Sequence, residues 1–155
     1  MAIIHQNLYQ GEHLTGIEVK PYFEKVIGGL FNSYNISPDR VEMEMDVQDM
    51  ILDIDTIIPI GLIVNELVSN ALKYAFPGDR KGKVLITLRE NREGLLLVVA
   101  DNGVGMKGQW QEADASSFGY RLIHAFREKL NASLDLRNQA GTSVELHIKS
   151  YQKVE

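Results

Sequence analysis

Asn65-Glu66-Leu67-Val68-Ser69-Asn70-Ala71-Leu72-Lys73-Tyr74-Ala75-Phe76 is the stretch on which the reading of this chain turns. Stepped round at the helical period, it closes an element running from Asp55 or Thr56 to Ala75. Ile60, Ile63, Val64, Leu67, Ala71 and Ala75 make its apolar face. Pro59 is compatible with a helix only in or near the first turn, and Pro77-Gly78 ends the element. The opposite side carries Glu66, Asn70 and Lys73 at i, i+4 and i+7, one stripe of the helix. A carboxylate, a neutral carbonyl oxygen and a cation in one row suit a divalent ion bridging to phosphates. Hard cations take oxygen ligands, and Mg²⁺ keeps few protein groups. The same stripe also reads as a plain solvated face, and the helix alone leaves both readings open.

Upstream, Ile17, Tyr22, Phe23, Val26, Ile27, Leu30 and Phe31 are spaced as a helix from Thr15 to about Tyr34, with Thr15 and Glu18 placed as a capping box. Two alternating runs, Val41 to Met45 and Met50 to Ile54, read as a hairpin. Downstream, Lys83 to Leu88 and Leu95 to Ala100 read as strands joined by a polar turn. Lys107 to Ser117 is a polar, aperiodic loop, and Phe118 to Leu130 is helical. Ser133 to Arg137 and Ser143 to Lys149 form a last strand pair. This order predicts an α+β, two-layer sandwich: a mixed, mainly antiparallel sheet covered on one face by about three helices.

Two further stretches look committed to something besides packing. In Val98 to Met106 a buried strand runs into Asp101, then Gly103 and Gly105. A carboxylate at a strand end accepts a hydrogen bond from an exocyclic amine such as adenine's, and glycines let backbone approach a flat ligand. Asn102-Gly103 is equally a hairpin-turn dipeptide. The second stretch is the junction Ser116 to Ile123, where serines, Gly119 and a helix start expose backbone donors suited to phosphate, as many capped helices do. Two apparent motifs are decoys. Gly103-x-Gly105-x-x-Gly108 follows a strand but opens no helix, and Gly78 to Val84 has the wrong spacing and ending for a P-loop. Asp53 and Asp55 imitate a calcium loop without its glycine and glutamate, and the four histidines lack metal-ligand spacing.

The 155 residues, 45% apolar and 24% charged, suit one globular domain. Zero cysteines exclude disulfide scaffolds, thiol nucleophiles and Cys-ligated metals. The net charge of −5 argues against nucleic acid as a partner, and no apolar run is expected to span a membrane. No signal peptide is read at the N-terminus, and a cytoplasmic setting is expected, whether the parent protein is soluble or membrane-anchored. Met1 to about residue 14, with Ile3, Ile4 and Leu8, reads as the end of a preceding helix, and 15–151 as the domain proper.

Taken in order, these motifs resemble a known family. Asn65 to Phe76 resembles the N box and Asp101 to Met106 the first glycine box. Phe118 to Ile123 resembles a second glycine box lacking its usual first glycine, and Gly141-Thr142 the closing Gly-Thr, of sensor histidine kinase catalytic domains. These share an ATP-binding fold with DNA gyrase, a heat-shock chaperone and the mismatch-repair ATPases. The resemblance spans Thr15 to Ser150. Ile4-His5-Gln6-x-Leu8-Tyr9 is similar to the end of the second dimerisation helix in one subgroup, which would make residues 1–14 a remnant of that helix.

The resemblance implies ATP and Mg²⁺ as ligands. Asn70 would ligate Mg²⁺ on the triphosphate, Lys73 would contact phosphates, and Tyr74 would lie by adenine or ribose. Asp101 would take the adenine amino group. Gly103, Gly105 and Gly119 would shape pocket and lid, and Thr142 would hold adenine from behind. Glu66 stands where relatives that hydrolyse ATP keep their general base, and in a kinase it would orient or deprotonate the attacking histidine. That histidine would sit on a dimerisation domain upstream, with a response regulator further on. Autophosphorylation by this chain alone is not expected. Alternatives on the same fold are an ATPase, an anti-sigma-type serine kinase, and a non-catalytic nucleotide-binding module.

Overall fold

The computed structural model describes residues 16–104, 118–137 and 141–154. The elements are β1 (Gly16–Glu18), α1 (Val19–Ser33), β2 (Val41–Val47), β3 (Ile51–Asp53), α2 (Ile54–Tyr74), β4 (Gly82–Asn91), β5 (Gly94–Asp101), α3 (Phe118–Lys129), β6 (Ala132–Arg137) and β7 (Ser143–Ile148).

A five-stranded sheet in the order β2-β4-β5-β7-β6 forms one layer. Only β2 and β4 run parallel, and the other three pairings are antiparallel. The strands alternate, as the period of two requires. Val84, Ile86, Leu88, Leu95, Leu97, Val99, Val144, Leu146 and Ile148 are buried on one face. They join Phe23, Ile27 and Phe31 of α1 and Ile57, Ile60, Ile63, Val64, Leu67 and Val68 of α2 in a single apolar core. The expected two-layer architecture and mixed sheet are what the chain forms.

α2 starts where the Asp53 carboxylate accepts the Asp55 amide at 3.0 Å, so the supposed calcium-loop aspartate is a helix cap. Pro59 is the sixth residue of the helix, just past the first turn, and the Asp55 carbonyl it leaves without a helical donor belongs to an exposed residue. By length and composition α2 could cross a membrane, yet 67% of its most apolar window is buried inside this fold. Its apolarity serves the core.

Two expectations are overturned at the N-terminal end. Gly16–Glu18 is a strand paired with β3, not the first turn of a helix. Glu18 becomes the cap position of α1 without a side-chain cap bond, and Thr15 lies outside the described residues. Runs 41–47 and 51–53 do not form a hairpin either. β2 pairs in parallel with β4 across the α2 crossover, while β3 pairs with β1. Alternation identifies a strand and its buried face, but the partner is chosen by what packs beside it. The C-terminal segment completes the small sheet. Asp53 N–H donates to Gln152 O and Val154 N–H to Ile51 O, both at 2.9 Å. The Tyr151 hydroxyl donates to Glu90 at 2.6 Å, which pushes the phenol up to about 12, and Lys153 meets the same carboxylate.

Leu97, fully buried at the centre of the sheet, tests this core. Leu97→Ala is expected to lower the unfolding free energy by about 3 kcal/mol, read by urea denaturation with an unchanged m-value.

Candidate functional site

Strand parity places Asp101. It lies two residues beyond Val99 on the helix-facing side of β5, opposite Val84, where an apolar residue would continue the pattern. Its Oδ1 accepts the Gly103 amide at 2.9 Å and the Thr142 amide at 3.4 Å. Oδ2 takes no hydrogen bond among the described residues. Burial pushes this carboxyl above the ordinary aspartate range, opposed by the two amides. The result is a directed acceptor at the rim of the core.

Backbone close approach fixes the loops around it. A Cβ on Gly103 would stand 2.2 Å from the Ala75 carbonyl oxygen, and the next residue, Val104, donates its amide to that oxygen at 2.9 Å. The turn after β5 is thereby fastened to the end of α2. Gly141, at φ +108°, would with a Cβ press to 2.0 Å on the Asp101 carbonyl oxygen. That same strand end donates the Asp101 amide to Thr142 O at 2.8 Å. Gly141 and Gly103 are therefore required by contacts between segments remote in sequence.

The convergence creates a pocket lined by Leu67, Asn70, Ala71, Ala75, Val99, Asp101, Thr142 and Val144. Three of the expected site residues, Asn70, Asp101 and Thr142, meet there, with Gly103 buried against the lining residue Ala75. Asn70 is half-buried and its side chain has no hydrogen-bond partner among the described residues. The pocket measures about 20 Å³, the room of one water, so a planar base needs its walls to part. Wider grooves of about 450 and 460 Å³ lie beside β3 and beside β2, away from these polar groups.

Glu66 sits one turn before Asn70 on α2, half-buried and without an ion pair or hydrogen bond among the described residues. Lys73 and Tyr74 are exposed in the last turn, Tyr74 by 48%, and neither lines the pocket. Gly119 is the second residue of α3, and Gly105 with the loop 107–117 lies outside the described residues.

Several residues of the site are not among those singled out from the sequence. Ala71 and Ala75 read there as plain core, yet their small side chains line the pocket. Arg40, in the turn before β2, donates to Phe76 O at 2.8 Å and to Arg80 O at 3.3 Å, holding the segment that leaves α2. Arg80 reaches the Asn102 carbonyl at 3.5 Å, and Asn102 Oδ1 accepts the Lys83 amide at 2.7 Å. Ser69 Oγ and Tyr34 Oη are 2.6 Å apart, pinning α2 to α1 so that the next residue, Asn70, faces the pocket. The spacing of Ala71 and Ala75 beside Asn70 was a usable signal. The arginines carried none.

Comparison with known proteins agrees with this geometry. Residues 55–152 match the family described as histidine kinase-, DNA gyrase B-, and HSP90-like ATPase. The chain is 29% identical over 102 residues to sensor histidine kinase PdtaS of Mycobacterium tuberculosis, covering 63% of this chain and 20% of that one. It is 28% identical over 133 residues to blue-light-activated histidine kinase 2 of Erythrobacter litoralis, covering 82% and 38%. Thus it spans between a fifth and two-fifths of these relatives' lengths. The histidine kinase domain of the Erythrobacter litoralis EL346 blue-light activated kinase superposes with a TM-score of 0.77 at 21% identity, covering 86% of this chain and 61% of that one. The motif order, the pocket at the end of α2 and these matches lead to one conclusion: the chain belongs to the histidine kinase-, DNA gyrase B- and HSP90-like ATPase family, as an ATP-binding domain of the histidine kinase type.

Proposed function

We propose that this domain binds Mg·ATP between α2 and the ends of β5 and β7 and passes the γ-phosphate to a histidine on a dimerisation domain of the parent protein. The observation that carries the reading is the convergence of Asn70, Asp101 and Thr142 on one pocket from three separate motifs. Oδ2 of Asp101, without a partner among the described residues, would accept the adenine amino group. Thr142 and Val99 form walls against which the ring would lie. Lys73 and backbone amides offset phosphate charge locally, so a net charge of −5 is no obstacle.

The donor set fits magnesium. Asn70 offers one neutral oxygen without a partner among the described residues, as suits an ion that keeps waters and takes its other ligands from phosphates. The ion, when bound, would supply charge neutralisation across the triphosphate. Transfer then forms a bond from the imidazole nitrogen to the γ-phosphorus and breaks the bond to the β-phosphate oxygen, releasing ADP. Glu66, one turn from Asn70 on the same helix, would take the imidazole proton or hold the ring for attack. Gly105 and Gly119 belong in this reading to the lid, and Tyr74 to the ribose side. The parent is read as a cytoplasmic-facing signalling kinase acting on a response regulator.

A second reading draws on the same Glu66. Without a partner among the described residues, it is equally suited to activating water, which would make the chain an ATPase. Transfer to a serine is the remaining variant. Phosphohistidine is acid-labile and phosphoserine is not, so label surviving acid, or rapid phosphate release by the chain alone, would decide against transfer to histidine.

Asn70→Asp and Asp101→Ala should each remove calorimetrically detectable ATP binding while circular dichroism stays that of the parent. Unchanged binding in both sinks the assignment. Glu66→Gln should keep ATP affinity and slow transfer to a supplied dimerisation domain by about 10²–10⁴-fold. Asp101→Asn separates binding from stability. Because folding raises the Asp101 pKa, its ionisation opposes folding once pH passes the ordinary carboxylate range. The amide keeps the two accepted bonds, so this variant should be more stable than the parent at neutral pH. That gain should vanish at acid pH where the parent's carboxyl is protonated. Thermal melts across pH measure it.

A further inference from the structure

We infer that the free edge of β2 docks an extended partner segment in which apolar residues alternate with lysine or arginine, added as a sixth strand. Among the described residues β2 is the outermost strand of the sheet, bonded to β4 alone. Gly82 N–H donates to Arg40 O at 3.0 Å and Gln48 N–H to Leu88 O at 2.9 Å. These bonds bracket the strand and point its even-numbered amides and carbonyls at β4. The odd-numbered ones therefore face outward. Ser37 O takes the Val41 amide at 3.1 Å, whereas the amides of Met43, Met45 and Val47 have no acceptor among the described residues. They form a bare ladder of donors and acceptors.

The two sides of this edge differ in chemistry. On the helix side a groove of about 460 Å³ lies beside the first part of the strand, lined by Gly28, Phe31, Ile36, Pro38, Val41 and Met43 among others. It suits the apolar side chains of an added strand. On the outer side Glu42, Glu44 and Asp46 stand in a row, their side chains 64%, 53% and 50% exposed. Lys83 and Arg89 on β4 meet them from one side, three carboxylates against two cations. On the side away from β4 no described strand pairs with β2.

Charge selects the occupant. A second copy pairing antiparallel about Glu44 would set Glu44 against its own equivalent and Glu42 against Asp46, like charge on like charge. The acidic row thus rejects self-association, a usual duty of charged edge residues. A strand carrying Lys or Arg at alternate positions would instead complete each carboxylate with a second cationic neighbour while the main chain supplies the ladder bonds. This surface is separate from the nucleotide pocket and does not depend on the reading of that pocket.

The test uses the full chain and a blocked seven-residue peptide alternating valine and lysine, matched in length to β2. Amide exchange is followed by NMR. The lysine peptide should slow exchange at Met43, Met45 and Val47 and leave Glu42, Glu44 and Asp46 as they were. A valine–glutamate peptide should not bind, and N-methylation of the lysine peptide at alternate amides should abolish the effect without altering the protein. Glu42→Lys with Glu44→Lys should weaken binding about tenfold, less at high salt. Binding without selective protection of the odd-numbered amides would reduce it to charge adhesion and overturn the proposal. Equal binding of the glutamate peptide would do the same, as would protection of those three amides already present in the free chain.

Discussion

The Asp101 carboxylate, set on the core-facing side of β5 where the strand pattern calls for an apolar group, is the constraint around which the rest is arranged. A charge there is tolerable only if it is hydrogen-bonded, and the donors come from Gly103 and Thr142. Bringing both amides within reach requires the turn after β5 to fold back on the end of α2 and the start of β7 to lie against the Asp101 backbone. Glycine at 103 and 141 is what those approaches permit. The pocket is the space left between these three segments.

α2 does two jobs at once, and its residues divide accordingly. Ile57, Ile60, Ile63 and Val64 are fully buried and weld the helix to sheet and α1. Two and three turns beyond Val64, Ala71 and Ala75 are small where larger side chains would fill the pocket, and Asn70 faces it. The Tyr34–Ser69 contact fixes the helix rotation, and Arg40 holds the chain just beyond its C-terminus. A polar stripe on such a rigid helix is presented with little freedom, which is what a site for a multiply charged ligand needs.

Much of this was legible beforehand. The 3.6 period of α2 and the period of two in β4, β5 and β7 are local properties, and they located those elements to within a few residues. Asn70, Asp101 and Thr142 could be nominated because a buried strand ending in Asp-Asn-Gly and a helix striped with Glu, Asn and Lys depart from what packing alone requires. The illegible parts involved choice of partner. Residues 16–18 carry a helix-compatible apolar spacing yet form a strand, because β3 and the C-terminal segment offer backbone partners there. Runs 41–45 and 50–54 alternate like a hairpin, yet strands 41–47 and 51–53 belong to two different sheets and Ile54 opens α2.

By itself, then, the sequence determined the periodicities, the break at Pro77-Gly78, and the polar groups out of place on apolar faces, since each depends on neighbours along the chain. Tertiary structure alone decided that β2 runs parallel to β4 and leaves an acidic open edge. It also decided that Asn70, Asp101 and Thr142 meet, and that Arg40 braces the loop after α2. Those outcomes rest on contacts between segments tens of residues apart, where burial of a shared core and satisfaction of backbone donors select one arrangement from several that local pattern permits.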